Sequence, residues 1–397
     1  MDLSGKTVLL GLTGGIACYK AAEFARAMIR EGADVHVAMT DSAQQFITPL
    51  TMQALTGHPV STSSWDSRQP NNMPHINLPR QADVIAIAPC TANFIAKLAN
   101  GICDDLLSTL CHARPATTPL LVAPAMNVEM WEKPATQRNI RQLALDGIGI
   151  MGPASGYQAC GEVGKGRMLE PDQLVQEVIA ALQPKKLAGK RLLLTAGPTY
   201  EPIDPVRGIT NRSSGKMGYS IARAAWEAGA EVTLISGPTA LPAPYGVKRI
   251  DVVDARQMLA AVEDNLAGQD VFISVAAVAD WRVKNASDQK IKKVAGAAVP
   301  TLDFTENPDI LATIAKRPDA PYCVGFAAET ENLREYAEAK RRKKGVPLLV
   351  GNIGHETFGR DDNTLILFDD NGAVELPHDT KQNLARKLVD QLAERLK

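Results

Sequence analysis

The sequence predicts an α/β fold in two consecutive domains, and three observations carry that prediction. Residues 6 to 39 run strand, glycine turn, helix, strand, and the same order returns after residue 190. Between them, ADVIAIAP and PLLVAPA are continuous apolar runs that end in proline. Unbroken apolar runs, as opposed to alternating ones, are what parallel strands covered on both faces require.

The elements follow in order. KTVLLGLTGG is apolar up to Gly14-Gly15, AAEFARAMIREG has helical spacing and ADVHVAMT is extended. After LQPKKLAGK, the segments RLLLTAGP, GYSIARAAWEAG and AEVTLISGP repeat this unit, with REGADVHV echoed by EAGAEVTL. The boundary is therefore placed near residues 184 to 190, giving domains 1–188 and 189–397. In the second half DVFISVAAVADW and PYCVGFAAET read as central strands. NTLILFDDNGAVEL reads as a hairpin turning at Asn371-Gly372, and a helix from Gln382 to Leu396 closes the domain.

Composition excludes several classes. A chain of 397 residues with 45% hydrophobic content has material for two cores. Lys plus Arg (43) and Asp plus Glu (44) nearly cancel, so no global field attracts nucleic acid or an anionic membrane. Any anion site must be local. The six cysteines form no CxxC pair, and neither a secretory leader nor a long apolar run is visible, so a reduced, soluble, cytoplasmic protein is expected. Cys103, Cys111 and His112 are the only group resembling scattered metal ligands; with no fourth partner at usable spacing they read as packing residues.

Two strand-to-helix turns point to phosphate. Gly14-Gly15 at a strand-to-helix turn allows backbone amides and a helix N-terminus to face an anion, with the Thr13 hydroxyl as a further donor. Glycine there also serves turn geometry alone. Thr91, Ala92 and Asn93 open a second helix at the same sheet edge. A mononucleotide such as FMN fits better than a dinucleotide, because the turn is not GxGxxG and the second strand ends in Thr40 where a ribose-binding acid would stand.

Three side chains then supply an imidazole, an amide and a thiol. His75 lies in NNMPHINLPR, an irregular segment where the choice is between a loop-tethering hydrogen bond and chemistry. Asn127 follows a strand in PAMNVEMW, and its amide suits a backbone group or a substrate carboxylate equally. Cys160 sits among Gly156, Gly161, Gly164 and Gly166, a composition of a mobile flap.

In the second half TNRSSGKMG is not a P-loop, since six residues instead of four separate Gly208 from Gly215. Asn211, Arg212, Ser213 and Ser214 nevertheless precede a helix, where they either cap it or hold an anion. Asp280 ends a strand, and Lys290, Lys292 and Lys293 follow it in a polar loop, as a solvated charge run or as cations that close over a triphosphate. Lys340 and Lys344 share one helix face near Gly345, complementing the helix dipole or gripping phosphates.

TGGIACYK, the His75 segment, PAMNVEMW and ACGEVGKGRM resemble the flavin-dependent cysteine decarboxylases. Continued through TAGPTYEPIDPVR, TNRSSGKMG, AADW and KIKK, nearly the whole chain resembles the bifunctional phosphopantothenoylcysteine decarboxylase and phosphopantothenate–cysteine ligase family of bacterial coenzyme A biosynthesis. Cys90 departs from the alanine expected there, as do Tyr157-Gln158 from smaller or apolar residues. The resemblance implies two Rossmann-like domains, an N-terminal flavodoxin-like flavoprotein domain and a C-terminal nucleotide-binding ligase domain. It implies that FMN oxidises the thiol-bearing carbon so that decarboxylation has an electron sink, with His75 handling protons, Asn127 binding the reacting carboxylate and Cys160 returning a proton. For the ligase it implies activation of phosphopantothenate by CTP with Mg2+ and then coupling to cysteine. Asn211 would bind the acyl-cytidylate and Lys290 assist its formation. Ser274, Val275, Ala276, Asp280, Asn307, Pro308, Asp309, Ile310, Phe326, Lys340 and Lys344 would line the CTP site. Trimeric decarboxylase units joined by ligase dimers, as in a dodecamer, are the implied homo-oligomer. Two rivals are a nicotinamide oxidoreductase, disfavoured by the missing fingerprints, and a flavin-binding regulatory protein, disfavoured by Cys160 and the complete ligase half.

Overall fold

The computed structural model describes residues 1–65, 73–292, 301–329, 332–353 and 359–396. The chain divides into two compact units, Met1–Gln183 and Pro184–Lys397. Lys293 lies outside the described residues, as do Asn71 and Asn72 of the His75 segment.

In the first unit β1 (Thr7–Leu12), β2 (Asp34–Met39), β3 (Val84–Cys90), β4 (Leu120–Pro124) and β5 (Gly149–Ile150) form a parallel sheet in the order β2-β1-β3-β4-β5. Every residue of β3 and β4 is buried, which is why both read as unbroken apolar runs. The helices are α1 (Cys18–Arg30), α2 (Pro49–Thr56), α3 (Pro74–Gln81), α4 (Ala92–Asn100), α5 (Leu106–His112), α6 (Val128–Glu132), α7 (Pro134–Leu145) and α8 (Pro171–Ala181). In α1 the buried Cys18, Ala21, Phe24, Ala25 and Met28 recur at three- and four-residue spacing and give it one apolar face. Outside the sheet stands an antiparallel hairpin, β6 (Ala154–Tyr157) with β7 (Val163–Arg167). From β1 the chain winds one way to β2 and then the other way through β3 to β5, so the crevice between β1 and β3 is the topological switch where such sheets bind ligands.

The second unit holds β8 (Arg191–Ala196), β9 (Tyr200–Pro202), β10 (Gly208–Thr210), β11 (Glu231–Ser236), β12 (Lys248–Asp251), β13 (Val271–Ser274), β14 (Trp281–Val283), β15 (Phe304–Glu306), β16 (Tyr322–Glu329), β17 (Leu348–Ile353), β18 (Asp362–Asp369) and β19 (Gly372–Thr380). Its main sheet runs β12-β11-β8-β13-β16-β17-β18-β19; the first six strands are parallel and the last two antiparallel. The parallel part is the doubly wound Rossmann order, with its switch between β8 and β13. The helices are α9 (Lys216–Glu227), α10 (Ala255–Asn265), α11 (Ile310–Ala315), α12 (Leu333–Lys344) and a C-terminal helix, Lys381–Arg395. Two apolar cores form, one including Leu194, Ile221, Leu234 and Leu388, the other Leu193, Phe272, Ile314 and Leu349. None of the described helices is long and apolar enough to cross a membrane.

Four expectations change. DVFISVAAVADW is a central strand only to Ser274, because Ala277 pairs instead with the Gly197–Thr199 segment, so Asp280 does not end that strand but directly precedes β14. His75 lies in the first turn of α3, not in an irregular loop, because Pro74 at the first helical position starts a helix there. The β18–β19 hairpin connects through Asp370 and Asn371, since Gly372 already pairs with Asp369 and takes φ +120° at the start of β19. Cys111 is a buried core residue, but Cys103 and His112 are exposed and are no packing residues.

Candidate active sites at the two sheet crevices

At the first crevice, Gly14 is required by close approach: a Cβ there would fall 2.4 Å from Ser42 Cβ. Gly15 faces open space, its nearest potential neighbour being Thr91 Cγ2 at 3.9 Å. Thr13 is buried; its hydroxyl donates to Pro89 O (2.8 Å) and accepts from Thr91 N–H (3.0 Å). Its proton is therefore not presented to a phosphate, and the side chain instead ties the two turns together. Thr91 caps α4 by accepting from Phe94 N–H, Asn93 is exposed in that first turn, and Thr40 accepts from Ala43 N–H.

Beside these turns lies a cavity of about 620 Å³ lined by Gly15, Ile16, Tyr19, Met126, Asn127, Cys160 and Met168, among others. Asn127 does both things its amide allowed. Its Oδ1 caps α6 by accepting from Glu129 N–H (2.8 Å), leaving Nδ2 to face Cys160 Sγ at 3.3 Å and to donate to Glu162 Oε2. Cys160 is exposed on the loop joining β6 to β7. That hairpin is seated by Met126 N–H donating to Gly166 O (3.0 Å) and by the buried Gln158, which accepts from Val128 N–H (3.0 Å) and donates to Lys165 O (3.2 Å). Asn127 and Cys160 thus meet, while His75 is not among the residues lining this cavity.

Sequence reasoning missed Lys20, Gln158 and Glu162. Lys20 is 7% exposed at the cavity wall, with Nζ bonded to Met168 O (3.3 Å) and Glu170 Oε1 (2.8 Å). A lysine inside the apolar stripe of α1 was the available signal.

The second crevice holds two neighbouring cavities. One, about 250 Å³, is lined by Gly197, Ser213, Ser214, Gly215, Lys216, Val275, Ala276, Lys340 and Lys381, among others. No side chain caps α9; its N-cap is Gly215 at φ +77°, so the amide end of the helix faces this cavity. Asn211 stands just before it, with Nδ2 donating to Ala277 O and Oδ1 accepting from Ser213 N–H (3.0 Å). Lys381, missed in the sequence, is buried here and burial pushes its ammonium down.

The other cavity, about 430 Å³, is lined by Ser274, Ala276, Asp280, Asn307, Pro308, Asp309, Ile310, Phe326, Lys340 and Lys344, among others. Asn307 Nδ2 donates to Ala279 O (2.8 Å) and its N–H to Asp280 O (2.8 Å), tying the end of β15 to the segment just before β14. Asp309 caps α11 and pairs with Lys344; partial burial raises its carboxyl, but Lys344 and the Ala312 N–H outweigh that and hold it below the usual range. Lys290 is exposed and lines neither cavity. The loop is nonetheless anchored next to it: Ile291 N–H donates to Asp204 Oδ2 (3.1 Å), and Arg207 donates to Ile291 O (2.9 Å).

Two family models match in tandem, Flavoprotein over residues 1–183 and DNA/pantothenate metabolism flavoprotein C-terminal domain over residues 187–396. The coenzyme A biosynthesis bifunctional protein CoaBC of Vibrio parahaemolyticus is 48% identical over 99% of this chain and 99% of its own. The CoaBC protein of Escherichia coli is 47% identical over 100% of this chain and 98% of its own. A crystal structure of the C-terminal domain of a CoaBC protein aligns with 53% of this chain and 98% of its own at 41% identity and a TM-score of 0.46. With two such domains in sequence and end-to-end identity of this degree, the chain belongs to the coenzyme A biosynthesis bifunctional protein family, an N-terminal flavoprotein domain followed by a C-terminal DNA/pantothenate metabolism flavoprotein domain.

Proposed function

We propose that residues 1–188 decarboxylate 4'-phosphopantothenoylcysteine to 4'-phosphopantetheine with FMN, and that residues 189–397 make that substrate from 4'-phosphopantothenate, cysteine and CTP with Mg2+. The observation that carries the first activity is the amide of Asn127 and the thiol of Cys160, 3.3 Å apart in the cavity beside the β1–α1 turn. The residues present fit FMN: the open face at Gly15 leaves room for a phosphate beside the α1 and α4 starts, and Ile16, Tyr19, Met126 and Met168 offer apolar area to a ring system.

Bound flavin supplies a two-electron oxidant and later the returning hydride. The chain supplies the rest. Asn127 Nδ2 exchanges its bond to Glu162 for the carboxylate of the substrate, holding it for carbon dioxide loss. Cys160, carried by the hairpin, donates its thiol proton to the resulting enethiol. His75 handles protons in the oxidative half; since it does not line the cavity of its own chain, the proposed homo-oligomer is where that role is to be sought.

In the second unit the uncapped start of α9 binds an anionic group, Asn211 holds the activated acyl group, and Lys340 and Lys344 grip the triphosphate. Lys344 must then leave Asp309 for phosphate. Lys290 closes from the exposed loop to neutralise charge as the carboxylate attacks. A cytoplasmic location follows from the substrates. The test is mass spectrometry of products from the full-length, FMN-loaded chain with phosphopantothenate, cysteine, Mg2+ and CTP. Phosphopantetheine is expected in wild type, and Cys160→Ser should release carbon dioxide yet accumulate enethiol. Normal turnover by Cys160→Ser would remove the proton-donor role.

A further inference from the structure

Asp34, His36 and His58 form a cluster that no part of the chemistry above uses. Strand periodicity puts Asp34 and His36, two apart on β2, on one face. His58 arrives from elsewhere: α2 ends at Gly57, which turns the chain at φ +76°, and the following segment pairs alongside β2 through Ser61 N–H to Val37 O and Met39 N–H to Ser61 O, both 2.9 Å. The result is two stacked imidazoles, centroids 4.1 Å apart and 18° from parallel. Both Nε2 atoms face one carboxylate, His58 at 2.6 Å from Asp34 Oδ1 and His36 at 3.2 Å from Oδ2.

We propose that Asp34, His36 and His58 bind one divalent ion of the zinc, cobalt or nickel class, through two imidazole nitrogens and a carboxylate oxygen, with water completing the shell. The three ligand atoms already lie within 4.8 Å of one another. Zn–N bonds of about 2.0–2.1 Å at tetrahedral angles need nitrogens roughly 3.3 Å apart, a small adjustment of stacked rings. Two imidazoles with one carboxylate is a donor set that suits these ions over magnesium or calcium, which take all-oxygen shells. Partial burial pushes the Asp34 carboxyl up, but hydrogen bonds from His58 and His36 outweigh it, and the group stays ionised for ligation.

The cluster sits at the start of β2, whereas the flavin crevice lies beyond the strand C-termini, so the ion would not touch the reaction. It would link edge strand β2 to the segment after α2 and stabilise that edge by the free energy of binding.

The test is titration of the tag-free, full-length chain with Co2+ in a non-coordinating buffer without nucleotide, followed by absorption and calorimetry. One Co2+ should bind with the ligand-field spectrum of nitrogen and oxygen donors and be displaced by Zn2+. His58→Ala and His36→Gln, both at partly exposed positions, should each weaken binding at least tenfold, no less than losing an outer-shell partner costs at about 10–100-fold. The proposal is overturned if both variants bind Co2+ as wild type does, if thiolate-to-cobalt charge transfer places the ion on Cys103 or Cys160, or if nothing binds at millimolar ion.

Discussion

Gly166 is where a single methyl group should separate the two activities of this chain. It takes φ +137°, and a Cβ there would lie 2.3 Å from Met126 O and 2.9 Å from Gln158 Nε2. Met126 and Gln158 are the two residues that seat the hairpin carrying Cys160 toward Asn127, through Met126 N–H to Gly166 O and Val128 N–H to Gln158 Oε1. In Gly166→Ala the backbone conformation costs about 1–3 kcal/mol, and loss of the Met126 N–H to Gly166 O bond adds about 1 kcal/mol. The seated hairpin is then disfavoured by roughly 2–4 kcal/mol. At 1.36 kcal/mol per factor of ten, decarboxylation should fall roughly 30- to 900-fold in kcat/KM. Ligase turnover, measured on the same preparation from pyrophosphate release, should stay at wild-type level because Gly166 belongs to the first unit. Gly161→Ala is the comparison: φ is +91° there, but the nearest atom to a Cβ is Tyr157 Oη at 3.8 Å, so only backbone strain is expected and a smaller loss. If Gly166→Ala decarboxylates within threefold of wild type, the hairpin is not positioned by this contact and the reasoning fails.

Two further outcomes are expected. Alkylation by iodoacetamide near pH 8, read by peptide mass spectrometry, should label exposed Cys160 and Cys103 and spare Cys18, Cys90, Cys111 and Cys323, because burial pushes the Cys111 thiol up to about 12 and that of Cys323 up to about 11; rapid labelling of Cys111 in folded protein would contradict the core packing. Glu227 is 1% exposed and accepts from Arg386 Nε (2.7 Å) and Arg223 Nε (2.8 Å), pinning the end of α9 to the C-terminal helix, so Glu227→Met should destabilise the second unit by about 3–5 kcal/mol in urea unfolding monitored near Trp226, with a change under 0.5 kcal/mol refuting the pairing.

Much of this protein was readable from local pattern. Strand and helix positions in both units follow from apolar periodicity, a property of neighbouring residues, and the β1–α1–β2 and β8–α9–β11 units fall where that pattern puts them. The loop that holds Asn127 was legible for the same reason, since it follows the end of β4, and that of Cys160 from its glycines; Asp280 instead stands beyond β13 and directly before β14. The Asn, Pro and Met neighbours of His75 suggest a loop; Pro74 at a helix start decides otherwise.

What tertiary structure alone decided is which groups are already engaged. Thr13 and Asn211 carry the hydroxyl and amide that suit a ligand, yet their bonds go to Pro89, Thr91 and Ala277, backbone partners more than 60 residues away along the chain. Asn127 could cap a helix or face a substrate, and only the fold revealed that its two amide atoms divide those tasks. Lys20 was hidden because its partners Met168 and Glu170 lie about 150 positions later. His58 joins Asp34 and His36 only through the turn at Gly57 and the pairing at Ser61. Sequence determines periodicity because a residue senses its neighbours along the chain. It leaves partner identity undetermined because a hydrogen-bonding group is satisfied by whichever donor or acceptor the packed elements bring within about 3 Å, and that is fixed only when the sheets close.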